Sequence, residues 1–387
     1  MKFHKNYPHH FSVILLALGM TQFIWSGLAQ TTLATPIAST AQPYKIVKTT
    51  QIMGAGRIDY VYADNDGRVL YVPRGNQVLV FDLDTLNPIG AIPNASAHGV
   101  AVDPQSGHGF CSSNPVVMWD TKTLKTIKTI NVQGGPDGIL FEPATERIYV
   151  FSHRPPNATV INAKDGSIMG TIDLGGAPEQ AASDGQGHLY VDLEDKNSIA
   201  VVDVNTLKVT AHYDLAGKGG RPAGLGMDVK NHILFAFCHN PATAVILNAI
   251  NGKILATLPI GNGTDSGGFN PATMEAFSSQ GDATLTIIKE KDPAGFEVEQ
   301  TVQTKPRAKT CTLDTKNNRI VLIATEQSPK PAPAIITPAA PATTPSAPAT
   351  TNAAPLAATT SAGVGQRGGW RGGGGGPGPL YIIVVGR

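Results

Sequence analysis

Cysteine is scarce in this chain: Cys111, Cys238 and Cys311 are the three among 387 residues. An odd count rules out a fully paired disulfide framework. They fall in different units of the repeat described below, too far apart to bridge, and read as small buried hydrophobic thiols. Charge is also sparse, at 15% of residues with a net +1. No basic stripe interleaved with aromatics is present, so neither a nucleic acid nor an anionic membrane surface is expected as a partner. The sequence lacks a GxSxG elbow, a P-loop, an HExxH helix and a CxxC pair. The chemistries those motifs carry have no support. Gly372 to Gly376 is a glycine run in a low-complexity setting, not a phosphate cradle.

Long apolar runs are confined to one place. Phe11 to Ala29 contains VILLALG, follows Lys2, His4 and Lys5, and ends with the small residues Gly27 and Ala29 before Gln30. Such a pattern predicts a cleaved export signal over residues 1–29. The mature protein is then periplasmic or extracellular, with no membrane span.

What the chain has in abundance is periodicity. An aromatic within a short β-type run appears at Tyr71, Phe110, Tyr149, Tyr190, Phe235 and Phe277, at steps of 39, 39, 41, 45 and 42 residues. An Asp or Asn closes the following run, at Asp82, Asp120, Asn162, Asp203 and Asn248. A sustained period of about 40 residues marks a repeat array. Four short β-runs per unit, separated by Gly, Pro, Asn and Asp turns, predict an all-β protein built of β-propeller blades. First strands begin near Asp59, His98, Asp137, Glu179, Ala223, Asp265 and Lys309. Each lies five residues before a turn residue: Asp64, Asp103, Glu142, Asp184, Asp228, Asn270 and Asp314. Seven starts predict seven blades over residues 44–327.

The seventh unit has two strands and then stops. Residues 328–379 are rich in Pro, Ala and Thr and then Gly, a composition expected to stay disordered. The end of the chain, residues 380–387, opens with LYIIVV, a strong strand sequence. It is expected to return as the third strand of blade 7, with Tyr44 to Ile52 as the fourth. That pairing closes the ring and removes two open edges.

The strings GRVLYVPRGNQVLVFDLDT and GHLYVDLEDKNSIAVVDVNT resemble the YVTN-type β-propeller repeat family. The resemblance covers about Tyr44 to Thr325 plus the final strand. It implies an exported propeller. Relatives of that family include sugar lactonases and the heavy subunits of periplasmic quinoprotein dehydrogenases. The Thr-Asn of the family motif is replaced here by Pro73-Arg74, Ser152-His153 and Asp192-Leu193. Trp119-Asp120 occurs once and does not make a WD repeat.

In a propeller the loops entering first strands and those joining second to third strands share one face, around the channel mouth. One repeat offset there reads Asp59, His98, Asp137, Glu179, Ala223, Asp265 and Lys309, with Arg57, Arg221 and Arg307 two residues earlier in their units. These form the candidate ligand-binding ring: carboxylates and His98 on one arc, with Arg221 and Arg307 to orient an anionic portion across the opening. Four residues past the aromatic, His153, Glu194 and His239 form an alternative metal-binding cluster. Converging carboxylates repel, and a divalent cation would relieve them. Oxygen donors favour calcium, and His98 admits zinc. The expected function is binding or scaffolding, with an unidentified protein or small molecule at the mouth. A lactonase-like hydrolase or quinoprotein-dehydrogenase-like enzyme is the alternative, and it requires a compact His and acid cluster at that mouth.

Overall fold

Each aromatic of the period lands on the second strand of a blade and is almost wholly buried, between 0% and 4% exposed. In the computed structural model, which describes residues 42–292, 295–326 and 378–387, the strands form seven four-stranded antiparallel sheets. The expected signal peptide and nearly all of the low-complexity insertion lie outside the described residues. Among those described, no helix is long and apolar enough to cross a membrane.

The first strands of blades 1 to 7 are Tyr62–Asp64, Val100–Asp103, Pro136–Glu142, Pro178–Ser183, Pro222–Asp228, Thr264–Asn270 and Thr310–Asp314. Seven apolar clusters fill the seven interfaces between neighbouring blades, including the one between blades 7 and 1. The ring is therefore closed: a seven-bladed β-propeller.

Turn chemistry explains where each strand stops. After first strands, Asp64 accepts from the Gly67 amide at 2.9 Å, Asp103 from Gln105 at 3.0 Å and Asn270 from Ala272 at 3.0 Å. After third strands, Asp82 accepts from the Thr85 amide at 2.7 Å, Asp120 from Thr123 at 2.8 Å and Asp203 from Thr206 at 2.8 Å. Short polar side chains bonding the backbone two or three residues on fix such turns. Leu86, Leu124 and Leu207 then occupy the left-handed region, at φ of 60°, 58° and 56°, where Gly166 and Gly252 stand in blades 3 and 5.

Blade 7 draws on both ends of the chain. Its order is Lys45–Gly54, Gly378–Gly386, Arg319–Thr325, Thr310–Asp314. The returning strand is central, pairing Ile383 with both Thr49 and Leu322. Arg387, beyond it, pairs with Glu275 and Glu299 of blade 6, and its guanidinium lies 4.3 Å from the Tyr44 ring centroid.

The inner wall is not symmetric. A Cβ on Gly224 would meet the Ser266 backbone at 2.8 Å, and one on Gly226 the Gly268 backbone at 2.7 Å. Glycine at these points lets the first strands of blades 5 and 6 pack backbone to backbone. Gln180 of blade 4 pins both: its Oε1 accepts from Leu225 and Gly267 amides at 2.9 Å each, and its Nε2 donates to the Gly267 carbonyl at 3.0 Å. The first strands enclose a channel cavity of about 340 Å³, with Tyr60, Glu179 and Gln180 in its wall.

Candidate functional site

At the start of the first strands the ladder is irregular in the same place in several blades. Register shifts fall between Pro136 and Ile139, Pro178 and Ala181, Pro222 and Gly224, and Thr264 and Ser266. A bulge leaves a residue unpaired and re-aims its side chain. The residues released this way include Asp137, Glu179, Ala223 and Asp265, members of the ring expected from the repeat offset.

The contacts between them form a continuous chain. Lys309 Nζ pairs closely with Asp265 and lies 3.9 Å from Asp59 Oδ1. His98 Nδ1 is 2.7 Å from Asp59 Oδ2 and 3.2 Å from Asp137 Oδ1. His153 Nε2 is 3.4 Å from Asp137 Oδ2 and 3.2 Å from Glu179 Oε1. The Tyr60 hydroxyl completes it by donating to Glu179 Oε2 at 3.0 Å. The donor atoms of Asp59, His98 and Asp137 all lie within 4.8 Å of one another, as do those of Asp137, His153 and Glu179.

In each group one imidazole nitrogen faces two carboxylate oxygens. A ring nitrogen carries at most one proton, so it can make only one good hydrogen bond of the two. A cation at the common centre satisfies all three donors at once. Bonds of about 2.0–2.2 Å in a tetrahedral site put neighbouring donors roughly 3.3–3.6 Å apart. The separations of 3.2, 3.4 and 3.2 Å lie near that edge length, while the 2.7 Å contact of His98 with Asp59 is a charge-assisted hydrogen bond that a bound ion would replace.

The electrostatics follow the crowding of acids. Burial, with repulsion from Glu179, pushes the Asp137 carboxyl up to about 6. Burial also pushes Asp265 up to about 7, against the opposing pull of Lys309. The Glu179 carboxylate raises His153 to about 9, and the hydrogen bond to Asp59 raises His98. His239 moves the other way, lowered by burial and then by the Arg221 charge.

The expected alternative trio is divided. His153 joins the arc through Asp137 and Glu179. Glu194 is taken by Arg221, whose Nη2 lies 2.5 Å from Oε1. His239 belongs to neither donor group, and its amide donates to the carbonyls of Gly220 and Arg221 at 3.1 and 3.2 Å. Arg307 is exposed, its amide donating to the Gly281 carbonyl at 2.8 Å. Arg221 is therefore engaged locally and does not reach across the opening.

Three residues were not singled out by offset reading. Tyr60 and Gln180 are the sequence neighbours of Asp59 and Glu179; Gln180 lies in the bulge of blade 4, and Tyr60 precedes the first strand of blade 1. Asp192, on the second strand of blade 4 opposite the Glu179–Gln180 bulge, is fully buried. Neither of its oxygens has a hydrogen-bond partner among the described residues. Burial, with Glu179 adding, holds its carboxyl well above the usual range. An acid between Val191 and Leu193 in an apolar strand was the available signal.

The fold resembles WD40 propellers of known structure. It superposes on a crystal structure of RRP9 WD40 repeats with a TM-score of 0.63 and 11% identity, covering 73% of this chain and 91% of that one. A chain from a crystal structure of the Mitotic Checkpoint Complex gives 0.62 and 11%, covering 78% and 96%. No protein-family model and no curated protein sequence matches this chain.

Proposed function

We propose that this chain is an exported YVTN-type propeller that binds through its channel mouth, with a divalent cation held in the acid and histidine arc. The observation that carries this reading is Asp137, whose two oxygens face His98 at 3.2 Å and His153 at 3.4 Å. Each facing imidazole nitrogen can give its one proton to only one of the two carboxylates beside it, whereas an ion in either group would take up both. Mixed imidazole and carboxylate donors favour a zinc-like ion over calcium. The sequence of residues 1–29 supports export.

The mouth is then a rigid platform that presents an ion to a ligand or a docking protein. Propellers of the WD40 type occur in protein assemblies such as the Mitotic Checkpoint Complex, which agrees with a docking role. The test is calorimetric titration of the mature protein with zinc and calcium, beside the Asp137→Ala/Glu179→Ala variant. Zinc binding that the double variant loses is the expected result. Absence of binding to either ion by the wild-type protein would reduce the arc to an ion-pair network.

A hydrolase of the lactonase kind is a second reading. It is favoured by the same compactness, since an enzyme needs a convergent His and acid cluster at the mouth and one is formed.

A further inference from the structure

The two donor groups share a residue, and that sharing has a stoichiometric meaning. Asp59, His98 and Asp137 form one group; Asp137, His153 and Glu179 form the other. Asp137 presents Oδ1 to the first and Oδ2 to the second. A single ion could use one group or the other. A carboxylate that offers a different oxygen to each side is the arrangement that joins two ions about 3.5–4 Å apart.

We propose that Asp137 bridges two divalent cations and that the pair takes a phosphate-type oxyanion at the channel mouth. The proposal rests on the cation reading above and adds the count of ions and the class of ligand. Each ion would receive three protein donors, two carboxylate oxygens and one imidazole nitrogen. That set leaves open positions, as in sites that bind an exogenous group rather than closed structural ones.

Charge decides the sign of the ligand. Asp59, Asp137 and Glu179 supply three negative charges, and the two ligating imidazoles are neutral. Two divalent ions carry four positive charges, so the loaded centre has a net charge of about +1. Lys309, 3.9 Å from Asp59, is paired with Asp265, so those two charges offset each other and leave that net charge unchanged. Arg57, whose charge opposes protonation of His98, lies on the same side. A tetrahedral oxyanion can place one oxygen on each ion, a fit that a monatomic anion lacks.

The experiment uses the mature chain freed of metal and reloaded with manganese(II). Bound ions are counted by elemental analysis, and electron paramagnetic resonance reads whether they are coupled. The expected wild-type result is two ions per chain with the spectrum of a spin-coupled pair. Asp59→Ala and Glu179→Ala should each retain one ion with an uncoupled spectrum. Asp137→Ala should weaken binding of both by at least a hundredfold. Circular dichroism and melting confirm that each variant is folded, and Asp137→Asn, which keeps the volume and one acceptor oxygen, should retain one ion. Inorganic phosphate should bind the loaded protein at least tenfold more tightly than the metal-free protein and alter the coupled spectrum. A single ion in the wild type overturns the bridge while leaving the cation reading standing. No bound ion overturns both. Equal phosphate affinity with and without manganese overturns the oxyanion assignment.

Discussion

The Tyr60 hydroxyl, at the entry to blade 1, donates at 3.0 Å to Glu179 Oε2 of blade 4, which lies 119 residues further along the chain. The bond spans the mouth and ties the last acid of the arc back to the residue beside the first. Asp59 and Glu179 are thereby held as the two ends of one curve, with Asp137 between its histidines. Burial and the surrounding carboxylates push the Tyr60 phenol well above its usual range, so it stays a donor at all ordinary pH. Such pre-positioning lowers the ordering cost that a ligand would otherwise bear.

The arc makes stability depend on pH in the absence of metal. His153 rises from an ordinary 6.5 to about 9, first through Glu179. The folded state therefore holds that proton more tightly than the unfolded chain does. Its contribution is fully present below 6.5 and is lost as pH rises through 9. Asp137, raised from 3.8 to about 6, acts in the same direction within the lower window between those values. The melting temperature of metal-free protein should fall between pH 6.5 and 9.5, and His153→Gln should flatten that slope. An identical slope in the variant would place the titration elsewhere.

Deleting residues 380–387 should abolish cooperative folding. The strand is central in blade 7 and buries Leu380, Ile382, Ile383, Val384 and Val385, each at 5% exposure or less. At about 1.5–3 kcal/mol per buried side chain this is roughly 8–15 kcal/mol. That is the scale of a whole domain's stability, about 5–15 kcal/mol. A truncated protein that still melts cooperatively within a few degrees of the full chain would contradict the topology.

Gly226→Ala should cost about 1–3 kcal/mol, the usual penalty for overpacking. The added methyl would meet the Gly268 carbonyl oxygen at 2.7 Å, and backbone cannot swing aside as a side chain can. Urea titration gives the number. A neutral result would mean that the inner strands of blades 5 and 6 can part.

Gln180→Ala removes the acceptor of the Leu225 and Gly267 amides together. Each stranded amide costs about 1–3 kcal/mol when no water replaces the bond. Amide hydrogen exchange should accelerate at Leu225 and Gly267 and leave the inner strand of blade 2 unchanged. Unaltered protection at both amides would count against the pinning role.

The fold was legible because its cause is repetitive. One aromatic every 40 residues, an Asp or Asn turn after the third strand, and an unfinished seventh unit fix blades and closure without any long-range information. The arc was legible in part, since equal repeat offsets put Asp59, His98, Asp137 and Glu179 on one face. What offsets do not reveal is direction. The bulge at Asp137–Gly138 and its counterparts decide which of two adjacent side chains enters the mouth. That is why Gln180 escaped notice; Tyr60 and the approach of His153 to Glu179 depend on contacts between blades, which a repeat offset does not contain. Asp192 is a different case: its orphaned carboxyl breaks an apolar strand, and nothing in the repeat accounts for it.

The position of the strand Gly378–Gly386 sets the order of events in biosynthesis. Its neighbour Arg319–Thr325 leaves the ribosome well before it, with residues 326–377 in between. The strands of six blades and two of the seventh are therefore made before the strand that shuts the ring. Until then Arg319–Thr325 and Lys45–Gly54 both lack the strand that lies between them in the closed ring. Closure joins the first strand of the described chain to the last, so the ring is complete only when the whole chain has been made.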